Sequence, residues 1–369
     1  MRNLGPALAR AVVCVPARNE AQVLPHLLRS LNGQQGAGPQ ARLRVLVLAN
    51  NGTDDMLDVV ERMRGDGEIA NLDLRVVEAT LPREVAHVGT ARRMALDAGA
   101  AWLVEDGVTD GVLLSTDADA VAPPNWVMAN LRALDKAELV GGRLIIDEEG
   151  QTGDAGLAAL HATIERYWAG VRRIEDTLDP PPHDPAPRHG DHVAASLALG
   201  ADLYVAVGGL PPLACGEDNA LVSAVRLHGG RVRHCPEVSI TVSARRAGRV
   251  EGGMATEMAR RARVLSDGDA YCLPPARHWQ ALVERRRAWR RAWWAGTPAA
   301  FRAAGLSPED IAAAQVEVCV NDIAFVERLE ARIGDSGLPA FRDVPLDAAL
   351  AGIDDLLAAL HAPVEALSA

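Results

Sequence analysis

Lysine is almost missing from this chain. Of the 38 basic residues only Lys136 is lysine and the rest are arginine, which points to a coding bias of the source before any recognition role. Basic charge is short as a whole, with 49 acids against 38 bases and a net charge of −11. A general nucleic-acid binder needs a basic footprint, so that class is excluded. Cysteine is scarce: Cys14, Cys215, Cys235, Cys272 and Cys319 are odd in number, widely spaced and without a C-x-x-C pair. Neither a disulfide framework nor a zinc site is suggested, and a reducing cytosol is expected. Long apolar runs are missing too. No stretch nears the roughly 20 residues needed to span a bilayer, and the start shows no leader pattern. The first turn after a strand, Pro16-Ala17-Arg18-Asn19-Glu20, lacks the G-x-G-x-x-G of a nicotinamide-dependent dehydrogenase. The Gly-rich, basic phosphate loop of a sugar nucleotidyltransferase is missing there as well.

The content that remains is ordinary for a globular protein, 49 % hydrophobic and 24 % charged, and 369 residues allow one large domain with an appendage, or two domains. Ala11-Val12-Val13-Cys14-Val15 reads as a buried strand stopped by Pro16. A helix over 22–31 follows, then strands over 43–48 and 72–77 and helices over 56–63 and 89–100. Strands and helices at this spacing imply βαβ units and a parallel sheet. Further on, 126–134 reads as a helix, 139–146 as a strand holding Gly141-Gly142, 152–174 as a helix, and 231–242 as a pair of strands. Residues 179–191 hold five prolines. They predict a surface loop, mobile without ligand, that closes over a substrate.

The stretch around which the chain is organised is Val112-Leu113-Leu114-Ser115-Thr116-Asp117-Ala118-Asp119. A short apolar run ends in two carboxylates one residue apart. In an open α/β sheet ligands bind beyond the carboxyl ends of the strands. Hard divalent cations take oxygen ligands, commonly one or two carboxylates and substrate phosphates. A metal–diphosphate site is the sharper reading and a solvated acidic turn the plainer one.

From residue 254 onward the chain is Ala- and Arg-rich and helical. The segment 278–294 carries Arg285, Arg286, Arg287, Arg290 and Arg291 with Trp279, Trp289, Trp293 and Trp294. Such a helix can lie on a membrane surface. The favoured reading is a helix whose Trp and Leu face packs on the preceding domain. The expected location is cytoplasmic, with attachment to the inner membrane face as the less favoured alternative.

Several motifs stand in one order. Val12 to Glu20 resembles the opening strand and P-x-x-N-E turn of family-2 glycosyltransferases with the GT-A fold. Asn50-Asn51-Gly52-Thr53-Asp54-Asp55 resembles their D-D-G-S-T-D turn, Gly89-Thr90-Ala91-Arg92-Arg93 their G-x-x-x-A-R-N helix start, and Asp117-Ala118-Asp119 their D-x-D. Gly208-Gly209 and Gly216-Glu217-Asp218-Asn219-Ala220-Leu221 resemble their acceptor-side segments. The resemblance covers about residues 10–250. It implies an α/β fold, GT-A, with a mostly parallel sheet, a catalytic domain over 1–253 and a helical region of unknown role over 254–369. It implies a nucleoside-diphosphate sugar donor, a hydroxyl acceptor and a divalent metal, Mg²⁺ or Mn²⁺. Pro16, Arg18, Glu20, Asn51, Arg92, Asp117 and Gly209 would bind the nucleotide sugar. Asp119 and Asp117 would hold the metal. Asp218 would be the catalytic base, with Glu217 beside it orienting the acceptor. Asn51 stands where the family usually has an Asp that reads the base. A late histidine often completes the family's metal shell, but residues 236–242 contain none; His234 comes early, and Ser243 or Arg245 could take its place.

Each residue also has a plainer reading. Glu20, Glu217 and Asp218 could be acids favoured at helix starts. Arg92 could be a solvated helix residue. His192 and His234, without a spaced partner, read as structural, and Cys215 as a small core residue. The functional alternative is a silent sugar-nucleotide-binding protein, against which Asp117, Asp119 and Asp218 together speak.

Overall fold

The computed structural model describes residues 5–146, 155–242 and 254–361. The chain divides into two compact units. The first comprises Met1–Gln151, Asp191–Val225 and Gly230–Gly253; the second comprises Thr152–Gly190, Arg226–Gly229 and Met254–Ala369. Residues 152–190 thus group with the C-terminal helices.

The first unit is built on β1 (Ala11–Ala17), β2 (Leu43–Asn50), β3 (Leu72–Ala79), β4 (Val112–Ser115), β5 (Ala120–Val121), β6 (Leu139–Ile146), β7 (Leu197–Gly200) and β8 (Val232–Val242), in the order β3-β2-β1-β4-β7-β6-β8-β5. Only β5 and β7 run against the rest. The sheet is mostly parallel, and its central strands are apolar on both faces because helices cover both. Val13, Val15, Val45, Val47 and Leu114 pack on one face with the helices Leu24–Asn32 and Trp126–Leu134. Their neighbours Val12, Cys14, Leu46, Leu48 and Leu113 pack on the other with the helix Val88–Glu105. This period of two is the strand geometry expected of buried, two-faced strands.

Two details differ from the sequence reading. β1 does not stop at Pro16 but pairs through it with Leu48 of β2. The backbone of Cys14 faces β4, accepting from Thr116; Pro16, two residues on, faces the same side, where β4 has ended, so its missing N–H interrupts no ladder. The late strand pair is one strand, β8. It pairs with β6 through a register shift between Gly141 and Arg143.

The second unit is helical. Ala155–Leu178 and Leu346–His361 pack through Ile164, Tyr167, Val171, Leu350 and Ile353. A second cluster joins Trp289 to Phe301, Phe325 and Leu329. The Arg/Trp helix is Ala276–Ala295, and its buried Trp289 and Ala292 belong to that cluster. Its apolar face is therefore occupied, at least in part, inside the helical unit. Arg286 pairs with Glu330 and Arg290 with Asp179. The proline-rich loop is also tied down. Arg188, only 8 % exposed, bridges Glu175 at 2.7 Å, Asp176 at 3.1 Å and Asp184 at 3.4 Å. That clamp speaks against the anticipated free movement. No described helix is long and apolar enough to cross a membrane.

Candidate active site

All of the expected catalytic, nucleotide-sugar-binding and metal-holding residues fall in the first unit. The turns after β1 and β2 are tied to each other. Asn19, in the left-handed region at φ 55°, accepts from the Thr53 N–H at 2.7 Å. Asp54 accepts from the Ala21 N–H at 2.9 Å. Pro16, exposed Arg18 and buried Glu20 line this first turn. Asn51 is also left-handed, at φ 46°. Its amide is engaged by one backbone residue: Nδ2 donates to the Leu81 carbonyl at 2.9 Å and Oδ1 accepts from the Leu81 N–H at 3.0 Å. The side chain thus braces two loops.

The centre of the site is Arg92. It lies in the first half of the helix Val88–Glu105 and is 4 % exposed, not solvated. Its Nη2 meets Asp117 at 2.7 Å, its Nε meets Glu217 at 3.3 Å, and its Nη1 donates to Ser115 Oγ at 3.0 Å and to the Ala194 carbonyl at 3.3 Å. Burial opposes the guanidinium's charge, but Asp117, Glu217 and then Asp218 outweigh it and hold Arg92 more firmly protonated than usual. For Glu217 burial dominates. It pushes the carboxyl's pKa above the ordinary 4.5 despite the pull of Arg92.

Glu217 and Asp218 open the helix Glu217–Leu227. Asp218 is held by backbone alone: Oδ1 accepts from the Asn219 N–H at 2.8 Å and Oδ2 from the Ala194 N–H at 3.3 Å. The peptide of Ala194 therefore joins Asp218 to the arginine that holds Asp117 and Glu217. Asp117 and Asp119 are both partly exposed at the end of β4. Among the described residues no group of three or more His, Cys, Asp and Glu is arranged to hold a metal. Gly209 has φ 78°, where a side chain would be strained, and a Cβ there would meet the Tyr204 hydroxyl at 3.2 Å. Arg93 secures this loop by donating to the carbonyls of Leu210 and Gly208.

Residues 12–173 match the family model described as glycosyl transferase family 2. These residues form a family-2 glycosyltransferase domain. The mostly parallel sheet with its flanking helices is the GT-A fold, and the protein is an enzyme of the glycosyltransferase class. The matched residues include Arg92, Asp117 and Asp119 and stop before Gly209, Glu217 and Asp218. Among solved structures the chain is similar to TarS 1–349 of S. aureus, at 15 % identity over 87 % of this chain and 90 % of that one, TM-score 0.43. It is similar to the mannosyltransferase PcManGT from Pyrobaculum calidifontis at 18 % identity, over 89 % and 88 %, TM-score 0.44. It is also similar to M. tuberculosis glucosyl-3-phosphoglycerate synthase at 16 % identity, over 73 % and 87 %, TM-score 0.39. At these values none of them bears on what this glycosyltransferase binds. No curated protein matches the chain.

Sequence reasoning missed Ser115, Arg93 and the backbone of Ala194. It also set aside His192 and His234, which meet at 3.1 Å. The one legible signal for that pair was Gly141-Gly142, discussed below. Cys215 is exposed, not core. Ser243, Arg245 and the Gly252-Gly253 turn lie outside the described residues.

Proposed function

We propose that this glycosyltransferase moves a sugar from a nucleoside-diphosphate sugar to an acceptor hydroxyl in one inverting displacement, assisted by a divalent cation, with residues 1–253 as the catalytic domain. The observation that carries the reading is the Arg92 hub, which links Asp117 at the end of β4 to Glu217, next to Asp218. Donor-side and acceptor-side carboxylates share one buried guanidinium.

Asp117 and Asp119 are the residues to hold the cation. Their oxygen donors suit Mg²⁺ or Mn²⁺, and two carboxylates leave the remaining positions to diphosphate oxygens and water. When bound, the cation neutralises charge developing on the diphosphate leaving group. Arg92 fixes Asp117 so that one carboxylate oxygen is already oriented. Pro16, Arg18, Glu20 and the loop at Gly209 contact the nucleotide sugar. Asn51 contributes there as a brace for the loop. Asp218, held by two backbone N–H groups, takes the acceptor proton as the new bond forms at the anomeric carbon. Glu217 is only 8 % exposed at its side chain and faces Arg92, so it serves as the hub's second anchor and Asp218 as the base.

Thermal denaturation with UDP-sugars and GDP-sugars, with and without Mn²⁺, tests the donor class, because a ligand of the native state raises its stability. One family of sugar nucleotides should stabilise the wild type in a metal-dependent way and lose that effect in Asp119→Ala. Equal stabilisation of both proteins would remove the metal assignment. NMR of the product should show an inverted anomeric carbon; retention would overturn the single displacement.

A further inference from the structure

Beside Asp218 lies a second polar assembly that the mechanism above does not use. His192 Nδ1 sits 3.1 Å from His234 Nε2, and His192 Nε2 sits 3.0 Å from Asn219 Oδ1. His234 is buried in β8 and pairs in register with Gly141 of β6. A Cβ on Gly141 would stand 2.3 Å from the Asp191 carbonyl oxygen and 3.0 Å from His192 Cα. A Cβ on Gly142 would stand 2.1 Å from Ser196 Oγ. Two bare glycines therefore let the segment 191–196 lie flat on β6, where Asp191 also accepts from the Leu144 N–H at 3.1 Å. The close approach brings His192 to His234.

The hydrogens follow from the acceptors. An amide oxygen can only accept, so His192 Nε2 carries the hydrogen towards Asn219. A neutral imidazole then has a bare Nδ1, which takes its hydrogen bond from His234 Nε2–H. The chain runs in one direction, from β8 to His192 to Asn219. It ends at the base, because the Asn219 N–H donates to Asp218 Oδ1 at 2.8 Å. The same segment reaches Asp218 a second time through the Ala194 N–H, two residues after His192.

We propose that His192 and His234 are positioning residues that hold Asp218 in place, His234 fixing the orientation of the His192 ring through Nδ1 and His192 fixing Asn219 at the start of the catalytic helix. The inference rests on reading Asp218 as the base.

The test combines ¹⁵N-histidine NMR with turnover of whichever UDP- or GDP-sugar stabilises the protein most in thermal denaturation, on the full chain. In the wild type the His192 ring should be the Nε2–H tautomer. In His234→Phe the bond to Nδ1 is lost, and the Nδ1 resonance should move to that of a nitrogen accepting no hydrogen bond. His192→Ala should lower kcat about ten- to a hundred-fold, the effect of a slightly misplaced catalytic group, with nucleotide Kd unchanged. His192→Gln can still donate to Asn219 and should recover most of the loss. An Nδ1–H tautomer in the wild type, or an unchanged kcat in His192→Ala with nucleotide Kd intact, would overturn the relay. If the wild type turns over no sugar nucleotide, the proposed function falls, and the Nδ1 resonance alone still decides whether His234 holds His192.

Discussion

At the scale of single residues, the site turns on one cation between two acids. Removing Arg92 leaves Glu217 buried without its counter-charge, and breaking a buried pair in this way costs about 3–5 kcal/mol. Arg92→Met should lower the denaturation midpoint accordingly, and adding Glu217→Gln should return part of the loss, so the two changes should not be additive. The pH dependence has a definite sign. The pKa of Glu217 is raised in the folded protein above the ordinary 4.5, chiefly by burial. As pH rises through that window the unfolded chain releases its proton first, the native state binds more protons, and stability falls. Glu217→Gln should lack this decline, so denaturant titrations should show its stability gaining on the wild type as pH rises above 4.5. Asp218→Asn should lower kcat by about 10² to 10⁴, the worth of a positioned general base. Nucleotide affinity measured by calorimetry should change little, since the donor is held on the Asp119 side.

At the scale of elements, the proline-rich loop carries an anchor that its composition did not foretell. Proline content argues only against regular structure; it says nothing of side chains that anchor a loop from within. Arg188 pairs with two acids of the preceding helix and one of the loop itself. Arg188→Met should make the loop a new cleavage site for proteinase K while the wild type resists, and cleavage of both at equal rates would refute the clamp. The strands and helices were legible because their apolar periodicity is local: the helix Trp126–Leu134 and β6 were read to the residue. The motif residues Arg92, Asp117, Glu217 and Asp218 were legible as types in order. Their mutual contacts were not, because Arg92 and Glu217 are 125 positions apart and only the fold joins them. Gly141-Gly142 was visible as a pair, but a close approach needs both partners, and the segment 191–196 gave no hint that it would lie there.

At the scale of the molecule, two separate sets of cores stabilise the two units. The Arg/Trp helix looked like a surface-seeking element by composition. Its arginines are largely engaged within the helical unit: Arg285 donates to the Gly334 and Ser336 carbonyls, Arg286 pairs with Glu330, and Arg290 with Asp179 and Asp322. With a net charge of −11 over the chain, long-range attraction to an anionic surface is opposed as well. The protein should therefore remain unbound in flotation with anionic vesicles at low salt; co-flotation lost on replacing Arg287 and Arg291, which form no ion pair among the described residues, would show that these two arginines suffice.

The brace at Asn51 bears on protein engineering. Consensus design would restore aspartate there, since the family usually carries it. In this chain the exchange would set a carboxylate against the Leu81 carbonyl, which now receives the Asn51 amide hydrogen. One acceptor facing another in a partly buried place costs about 1–3 kcal/mol. Asn51→Asp should thus melt earlier than the wild type and gain no nucleotide affinity. A residue that looks like a lapse from its relatives is here the one its loop requires, and repair by majority vote would loosen the two loops it joins.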